Sequence, residues 1–248
     1  MSWWTNLINI IIMKLSSNSL FHFTSKIDNI KDILQNGFWP KYCRESNWKK
    51  DYIDFAVPMV CFCDIPLSLI LEHITFYGGF GIGVSKKWIL EQKTITPVQY
   101  VSSGSHEYSA ILKILTKLKN STINEAEIHK LLLAKKVNGY INKDNNKRYK
   151  KFYDEREWRH IPTKLNKNDL IIPIKNNVFF QRESYSQKTK DNSLIIPADN
   201  IQYLIIPNEN YRDKLIQIIN KIYPFKKEEE RYRLISKIIT VQQIENDF

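Results

Sequence analysis

Cysteine is scarce in this chain, and its number is odd. The 248 residues include three cysteines, Cys43, Cys61 and Cys63. A secreted domain held together by disulfides needs more of them, in pairs. Cys61 and Cys63 would share one face of a strand, where two side chains are badly placed to bridge each other. We therefore expect free thiols and a reducing cytoplasm.

Long apolar runs are also missing. The apolar stretch at residues 7–13 is far shorter than the roughly 20 residues that cross a bilayer. It lacks the basic flank and the small-residue cleavage site of a secretory signal. The sequence predicts no stable membrane insertion. Because Met13 would make a natural translation start, residues 1–19 are interpreted as an N-terminal extension. The alternative is an interfacial helix that lies on a membrane through Trp3 and Trp4.

Several motifs of catalysis and metal binding are absent. The sequence contains no GxSxG, HExxH or CxxC, and Cys61-x-Cys63 has no second ligand pair at zinc spacing. We expect no metal site. Four of the seven glycines lie in residues 77–84, yet neither a Walker nor a GxGxxG register fits them. A tight turn followed by a glycine-containing strand is favoured over a phosphate-binding loop.

Acidic residues are outnumbered by basic ones. Asp and Glu number 26 against 37 Lys and Arg, which gives a formal net charge of +11. A positive field of this size favours nucleic acid, a nucleotide or an acidic protein as partner, and composition does not choose among them. With 43% hydrophobic residues, the chain can bury a core, which excludes a disordered or fibrous protein.

The order of predicted elements indicates an α+β fold. Short apolar segments predict strands at residues 20–24, 57–66, 97–101, 152–162, 171–173, 195–197 and 205–207. Apolar residues at helical spacing predict helices at residues 28–36, 67–75, 86–91, 107–120, 124–138, 211–223 and 226–246. The polar stretches 41–54 and 142–151 are predicted to be loops. We expect one main α+β domain over residues 20–207 and a C-terminal helical tail over residues 208–248.

The densest group of chemically active side chains lies at residues 154–160. If this segment is a strand, Glu155, Glu157 and Arg159 share one face. Two neighbouring carboxylates raise each other's pKa or share a cation or a substrate hydroxyl. Such a pair suits a ribose hydroxyl and the positive charge of an oxocarbenium-like centre. The alternative is a salt-bridge ladder on an exposed strand.

His22, Thr24 and Arg44 are further candidates. His22 and Thr24 share a face of the first predicted strand, where a neutral imidazole could donate or accept a hydrogen bond and Thr24 could assist. Arg44 could bind a pyrophosphate through its planar fork. A half-buried structural histidine and an ordinary surface arginine are the alternatives.

Five ordered segments resemble the AbiGi family over roughly residues 20–207. The segments are LFHFTSKIDNIKDILQNGFWPKY, AVPMVCFCDIPLS, YGGFGIGVSKKWI with PVQYV, DEREWRHIP and IIPADNIQYLIIP. This family is associated with abortive-infection phage resistance in bacteria. Its members are described as the antitoxin of a type IV toxin–antitoxin pair whose toxin resembles a nucleotidyltransferase. The resemblance implies a phage-defence protein with such a toxin as partner.

A weaker similarity lies beneath it. The H-x-T strand, the NI..IL.NG helix and the late E-x-E strand are similar to the DarT-like ADP-ribosyltransferase layout. That layout implies mixed sheets with flanking helices, and NAD as the bound nucleotide. His22 would then meet the nicotinamide ribose, Arg44 the pyrophosphate, and Glu157 would be catalytic with Glu155 beside it. We therefore expect His22 and Glu157 to face one pocket. A non-catalytic antitoxin, or a module that binds nucleic acid or a protein partner on a degenerate transferase fold, is the alternative.

Overall fold

A mixed sheet organises the chain. The computed structural model describes residues 17–45, 48–143, 146–174, 181–224 and 227–247. Within these ranges the strands are β1 Ser19–Thr24, β2 Lys41–Glu45, β3 Asp54–Cys63, β4 Phe80–Ser85, β5 Ile95–Pro97, β6 Gln99–Val101, β7 Ala134–Lys136, β8 Asn138–Lys143, β9 Asn146–Lys151, β10 Glu157–His160, β11 Ile172–Ile174, β12 Ile201–Ile206 and β13 Ile238–Thr240.

Helices cover both faces of this sheet. In the described ranges they are α1 Ile27–Asn36, α2 Ile70–Tyr77, α3 Lys86–Glu91, α4 His106–Lys119, α5 Glu125–Leu133, α6 Lys167–Leu170, α7 Arg182–Ser186, α8 Arg212–Ile222, α9 Glu228–Ile235 and α10 Val241–Asp247. Short 3-10 turns connect several of them. The predicted α+β class is confirmed.

The main sheet has the order β13-β12-β4-β1-β3-β10-β5, and β2 and β11 also pair with β3. Its strands are antiparallel except for the parallel pair β12–β13. Two smaller sheets, β6–β7 and β8–β9, stand apart from it. Strand β3 is buried along almost its whole length, as its continuous apolar sequence predicts.

Strands β1 and β3 separate after a single contact. Strand β1 shares six register pairs with β4 but only the pair Phe21↔Cys63 with β3. Beyond that pair the sheet opens between the two strands. This opening positions the candidate site described below.

The two largest hydrophobic clusters in the described ranges pack different parts of the sheet against helices. One packs β1, β4 and β12 against α1, α8 and α9, through residues such as Ile30, Ile82 and Leu204. The other packs β3 against α4 and α5, through residues such as Val57 and Leu115. Helices α1, α4, α5 and α8 therefore bury their apolar faces against the sheet, as their apolar spacing predicts.

The glycine-rich segment forms a turn and a strand, as predicted. Gly78 ends α2 at a φ of +106°, which only glycine adopts without strain. Gly83 lies in β4, where an added Cβ would come within 2.8 Å of the Phe21 ring and 2.9 Å of the Tyr203 ring. Gly78 thus allows the turn before β4, and Gly83 allows the Phe21 and Tyr203 rings to pack on β4.

Two predicted loops are wrong. Residues 41–45 form β2, and residues 138–143 and 146–151 form the β8–β9 hairpin. Strand β2 pairs along the edge of β3 and carries one fully buried side chain, Tyr42. Because these strands carry polar side chains and draw much of their stability from backbone pairing, they lack the apolar pattern that reveals a strand.

Several predicted boundaries also need correction. The helix expected at 124–138 ends at Leu133. The strand expected at 152–162 is reduced to β10, because residues 152–155 form a 3-10 turn and Arg156 has a φ of +45°. Pro173 lies inside β11, and residues 195–197 form no strand.

The C-terminal region is not purely helical. The single helix expected at 226–246 is interrupted by β13, whose Ile238, Ile239 and Thr240 are β-branched. Strand β13 pairs with β12 in the main sheet, and α8 packs on α1. Residues 208–247 thus contribute to the same core as β1 and β12.

Candidate functional site

A cavity of about 700 Å³ lies where β1 and β3 separate. Its walls come from residues 21–25 of β1 and the turn after it, residues 59–63 of β3, the end of β2, and the β8–β9 hairpin. This volume falls within the range of small-molecule sites, about 300–1,000 Å³. We therefore take this cavity as the candidate site.

All five residues singled out in the sequence line this cavity. They are His22, Thr24, Arg44, Glu155 and Glu157. Three segments that are distant in the chain supply them: β1, β2 and the segment around β10. The expectation that His22 and Glu157 face one pocket is confirmed.

Glu155 and Glu157 lie close together, but not because they share one face of a strand as the sequence predicts. Glu157 is on β10, whereas Glu155 lies in the preceding 3-10 turn. Arg156 between them has a left-handed backbone conformation, so the two glutamates are not alternate residues of one strand. Both carboxylates nevertheless reach the same cation, because Lys135 of β7 forms ion pairs with both of them.

Buried lysines neutralise this pair. Lys135 Nζ lies 2.9 Å from Glu155 Oε2 and also contacts Glu157 Oε2. Lys150 Nζ lies 2.6 Å from Glu155 Oε1. The alternative of a salt-bridge ladder on an exposed strand is correct about the ion pairs and wrong about the exposure. Glu155 and Glu157 are only 4% and 5% exposed.

Arg159 links Glu157 to a third carboxylate. Its Nε lies 2.7 Å from Glu157 Oε1 and its Nη2 2.5 Å from Glu45 Oε1. Its Nη1 donates to the backbone carbonyl of Leu132 at 2.8 Å. The side chain is fully buried. Arg159 thus ties β10 to the end of β2 and to α5, behind the cavity-lining residues Glu45 and Glu157.

The paired cations keep both carboxylates ionised. Burial alone would raise the pKa of Glu157, but Arg159 and Lys135 outweigh it and hold that pKa well below its usual range. Burial opposes ionisation of Glu155 as well, and Lys135 and Lys150 lower its pKa on balance. The glutamates hold the ammonium of Lys135 charged in return, with a pKa above its usual range despite burial.

His22 bridges the opening between β1 and β3. Its Nδ1 lies 2.8 Å from the carbonyl oxygen of Cys61, and its ring meets Phe38 edge to face at 5.0 Å. Burial lowers the pKa of His22, although the hydrogen bond to Cys61 opposes this. The ring is therefore neutral at physiological pH. With Nδ1–H donating to Cys61, Nε2 is left as an acceptor.

Thr24 and Arg44 occupy less prominent positions in the cavity wall. The Thr24 hydroxyl accepts a hydrogen bond from the Asn29 side chain. Arg44 lies on a strand and not in a loop, and its Nε and Nη2 both donate to Asp54 Oδ2, at 3.0 and 2.6 Å. That contact uses one edge of the guanidinium. Its Nη1 edge is not part of the Asp54 contact.

Sequence reasoning missed Lys135, Lys150 and Tyr77. The sequence predicts a helix over Lys135 and a solvated loop over Lys150, whereas Lys135 lies on β7 and Lys150 is 7% exposed. The Tyr77 hydroxyl donates to Glu155, and burial followed by the Glu155 charge raises the pKa of Tyr77. No pattern in the sequence marks the two lysines, because their burial depends on strands β7 and β9.

Two expectations concern metal ions and membranes. There, no three His, Cys, Asp or Glu residues are grouped so that they could hold a metal ion. No helix in the same ranges is long and apolar enough to cross a membrane. The interfacial helix suggested for the first residues falls outside the part of the chain that the structure describes.

Comparison with known proteins identifies the family. A family model described as "Putative abortive phage resistance protein AbiGi, antitoxin" matches residues 36–207. The chain belongs to the AbiGi family. The matched segment contains Arg44, Glu155 and Glu157, whereas His22 and Thr24 precede it. The AbiGi resemblance predicted from the sequence is confirmed.

A relative of similar sequence agrees with this assignment. The abortive phage resistance protein AbiGi of Lactococcus lactis subsp. cremoris is 28% identical over 240 residues, which cover 84% of this chain and 95% of the relative. Family membership places the chain among phage-defence proteins of the abortive-infection type. No solved structure matches the chain significantly.

Proposed function

We propose that this AbiGi protein binds NAD in the cavity between β1 and β3 and transfers its ADP-ribosyl group during phage defence. One observation carries the proposal. His22, Thr24, Arg44, Glu155 and Glu157 converge on a single cavity of about 700 Å³. The proposed fold is that of an ADP-ribosyltransferase-like protein. We further propose that the protein acts in the cytoplasm, where NAD is available.

The cationic part of the lining suits the phosphates of NAD. Lys41, Arg44, Lys136 and Arg182 all line the cavity. Arg44 is 46% exposed in its side chain and contacts Asp54 through one edge of its fork. Its other edge would donate to a pyrophosphate oxygen, as arginine commonly does.

His22 would hold the nicotinamide ribose. Its neutral ring is oriented by the hydrogen bond to the Cys61 carbonyl, so Nε2 would accept a hydrogen bond from a ribose hydroxyl. The edge-to-face contact with Phe38 fixes the plane of the ring. Since burial keeps His22 neutral, binding through this group should not change between pH 7 and pH 8.

Glu157 and Glu155 would face the reacting sugar. Cleavage of the glycosidic bond of NAD develops positive charge on the ribose, which a fixed carboxylate stabilises. Glu157 is ionised, and its two known contacts, to Arg159 and Lys135, use two of about four acceptor positions on the carboxylate. The remaining positions would accept a ribose hydroxyl. Lys135 would hold both carboxylates at a fixed separation.

Binding of NAD tests this proposal by isothermal titration calorimetry. We expect the wild-type protein to bind NAD, and Arg44→Ala to bind it about tenfold or more weakly, because a charge-assisted hydrogen bond to a phosphate contributes about 1.5–3 kcal/mol. Binding of nicotinamide riboside, which lacks the pyrophosphate, should be unchanged by Arg44→Ala. Absence of NAD binding to the wild type would contradict the proposal.

Arg233→Ala is the matched control. Arg233 lies on α9, is 53% exposed in its side chain and pairs with Asp199 much as Arg44 pairs with Asp54. It does not line the cavity. An equal loss of NAD affinity in Arg233→Ala would mean that NAD is attracted by the net charge of the protein and has no site at Arg44.

A second candidate function is that of a non-catalytic antitoxin. The description of the matching family includes the word antitoxin, and an antitoxin needs a cognate toxin as partner. A nucleotidyltransferase-like toxin encoded beside this chain would be that partner. Copurification of the two chains from cells, with neutralisation of the toxin by both the wild type and Arg44→Ala, would favour this function over NAD chemistry.

A further inference from the structure

A second, smaller pocket borders the cavity. Its volume is about 260 Å³, and His73 and Glu155 line both spaces. The rest of its wall comes from α2 with the turn before it, and from the chain around the 3-10 turn at residues 152–155. This volume is just below the range of about 300–1,000 Å³ that holds drug-sized ligands. The second pocket therefore suits a small metabolite, and neither proposed function above uses it.

Six charged side chains line the second pocket, and four of them are paired within it. Lys150 Nζ lies 2.6 Å from Glu155 Oε1, and Lys151 Nζ lies 3.2 Å from Asp154 Oδ1. His73 adds no charge near neutral pH, because burial lowers its pKa to about 4. The charge that a ligand would meet therefore comes from the remaining two residues.

Those two residues are Glu72 and Arg156, whose charges are opposite. In the described part of the chain, neither side chain takes part in an ion pair or a side-chain hydrogen bond. Although they line one pocket, they do not pair with each other. Glu72 is exposed on α2, and Arg156 is half-buried. A free carboxylate and a free guanidinium thus stand in the same pocket with space between them.

The remainder of the wall is apolar. It consists of Ile65, Pro66, Leu69 and Phe76. Leu69 is 62% exposed, so a ligand with an apolar group would remove apolar surface from water on binding. The second pocket therefore offers a ligand one positive group, one negative group and an apolar surface.

We propose that the second pocket binds a free α-amino acid with an apolar side chain. The carboxylate of the ligand would meet the planar fork of Arg156, and its ammonium the carboxylate of Glu72. Its side chain would contact Leu69 and Phe76. A ligand with a single charge would leave Glu72 or Arg156 unpaired, and a charged side chain would lose its hydration against the apolar wall. A phosphate would be attracted by Arg156 but repelled by Glu72.

This proposal does not depend on NAD. Glu72, Arg156, Leu69 and Phe76 line the second pocket and do not line the cavity. Titrations in the absence of NAD therefore test the second pocket alone. Failure of the amino acid to bind would leave the proposed NAD site unaffected, and failure of NAD to bind would leave this proposal unaffected.

Isothermal titration calorimetry with L-leucine, L-methionine and L-phenylalanine tests the class of ligand. At least one of them should bind the wild type with a dissociation constant of about 1 mM or less. Analogues that lack the ammonium or the carboxylate, such as 4-methylpentanoate and 3-methylbutylamine for leucine, should bind at least tenfold more weakly. Each analogue loses a charge-assisted hydrogen bond, which is among the stronger polar contacts.

Glu72→Gln and Arg156→Asn test the two charged contacts, and each should weaken binding of the amino acid at least tenfold. Asparagine tolerates the left-handed conformation that Arg156 adopts at a φ of +45°. Glu72 is at an exposed helix position, so Glu72→Gln should melt like the wild type. Glu107→Gln and Arg233→Asn, at exposed positions of α4 and α9, are the matched controls and should bind the amino acid like the wild type.

Three results would overturn the proposal. In the first, none of the three amino acids binds the wild type at about 10 mM, ten times the weakest expected dissociation constant. In the second, the analogues that lack one charge bind as tightly as the amino acid, which would reduce the site to its apolar wall. In the third, Glu72→Gln and Arg156→Asn both bind the amino acid as tightly as the wild type, which would place the ligand elsewhere on the protein.

Discussion

Glu157 is more deeply embedded than its sequence context suggests. If Glu157 lay on an exposed strand, the substitution Glu157→Gln would change the free energy of unfolding little. In the structure, Glu157 is 5% exposed and paired with both Arg159 and Lys135. Removing one partner of a buried ion pair is strongly destabilising, because the other charge remains buried.

We predict that Glu157→Gln lowers the free energy of unfolding by about 3–5 kcal/mol. Urea denaturation monitored by circular dichroism measures this loss. Glu183→Gln, at a carboxylate 66% exposed in its side chain, should change stability by less than about 0.5 kcal/mol. Equal stability of Glu157→Gln and the wild type would contradict the buried network. Loss of activity in this variant would not by itself assign catalysis to Glu157.

Histidines kept neutral by burial should make the protein sensitive to mild acid. Burial lowers the pKa of His160 to about 4, with Asn192 opposing this, and burial likewise lowers the pKa of His73 to about 4. In the unfolded chain both would titrate near 6.5. The unfolded state therefore binds more protons between pH 6.5 and pH 4, so stability is present above pH 6.5 and is lost as the pH falls through this window.

We predict that the free energy of unfolding falls by about 2 kcal/mol or more between pH 7 and pH 5. His160→Gln should reduce this dependence, and His129→Gln, at an exposed position of α5, should leave it unchanged. Urea titrations at several pH values provide the measurement. Below pH 4.5 the loss should continue as Glu155 and Glu157, whose pKa values are lowered, take up protons in the unfolded chain. A flat profile from pH 7 to pH 5 would refute the burial of neutral histidines.

The three cysteines should differ in reactivity. A hydrogen bond from Cys61 and the charge of Arg182 lower the pKa of the Cys43 thiol to about 7 against the opposing effect of burial. Burial first, then nearby acids, raise the pKa of Cys63, and the contact with Cys43 followed by burial raises that of Cys61. Because the thiolate is the reactive form, Cys43 should be alkylated first.

We predict that iodoacetamide modifies Cys43 in preference to Cys61 and Cys63, at a rate that rises to half its maximum near pH 7. Peptide mass spectrometry of protein sampled over time identifies each site. A Cys43→Ser variant, which keeps the other two thiols, is the control and should remain almost unmodified over the same period. Preferential modification of Cys61 would refute this account.

At the scale of elements, the sequence predicts best where a pattern of apolar spacing is sufficient. Helices α1, α4 and α8 and strands β1 and β3 appear close to their predicted positions, because each buries one stripe or both faces in a core. The β8–β9 hairpin and β2 were missed because their side chains are mostly polar. The strand β13 was missed because three β-branched residues inside a helical pattern are too few to outweigh it.

The same limit applies to the candidate site. His22, Thr24, Arg44, Glu155 and Glu157 could be proposed from their chemistry and spacing. Lys135 and Lys150 could not, because their burial depends on the β7 strand and the β8–β9 hairpin, which bring them to Glu155 across distant parts of the chain.

The C-terminal elements give a prediction of their own. A chain that ends at Pro207 keeps every cavity residue but loses α8, which packs on α1, and β13, which pairs with β12. Leu204 and Ile206, both fully buried, would become exposed. We expect this truncated chain to aggregate or to unfold without cooperativity, measured by size-exclusion chromatography and thermal melting. A cooperative transition would instead support residues 208–248 as a separate tail.

At the scale of the whole molecule, membership in the AbiGi family assigns the chain to phage defence. The fold also contains an opening in which a ligand could bind. The sheet opens between β1 and β3, and charged side chains from three segments meet in that opening. Cations and carboxylates balance each other in the buried network of Lys135, Lys150, Arg159, Glu45, Glu155 and Glu157, so this network contributes nothing to the net charge of +11.

The most direct test of the cavity as the functional site is the rate of Cys43 alkylation at increasing NAD concentration. Cys43 lines the cavity, so bound NAD should shield it from iodoacetamide. The alkylation rate should fall by half at an NAD concentration equal to the dissociation constant measured by calorimetry. Modification of a cysteine placed at the exposed position Ser121 in the same protein should be unaffected. If NAD leaves the rate at Cys43 unchanged at concentrations that saturate the protein, it does not occupy this cavity and the account fails.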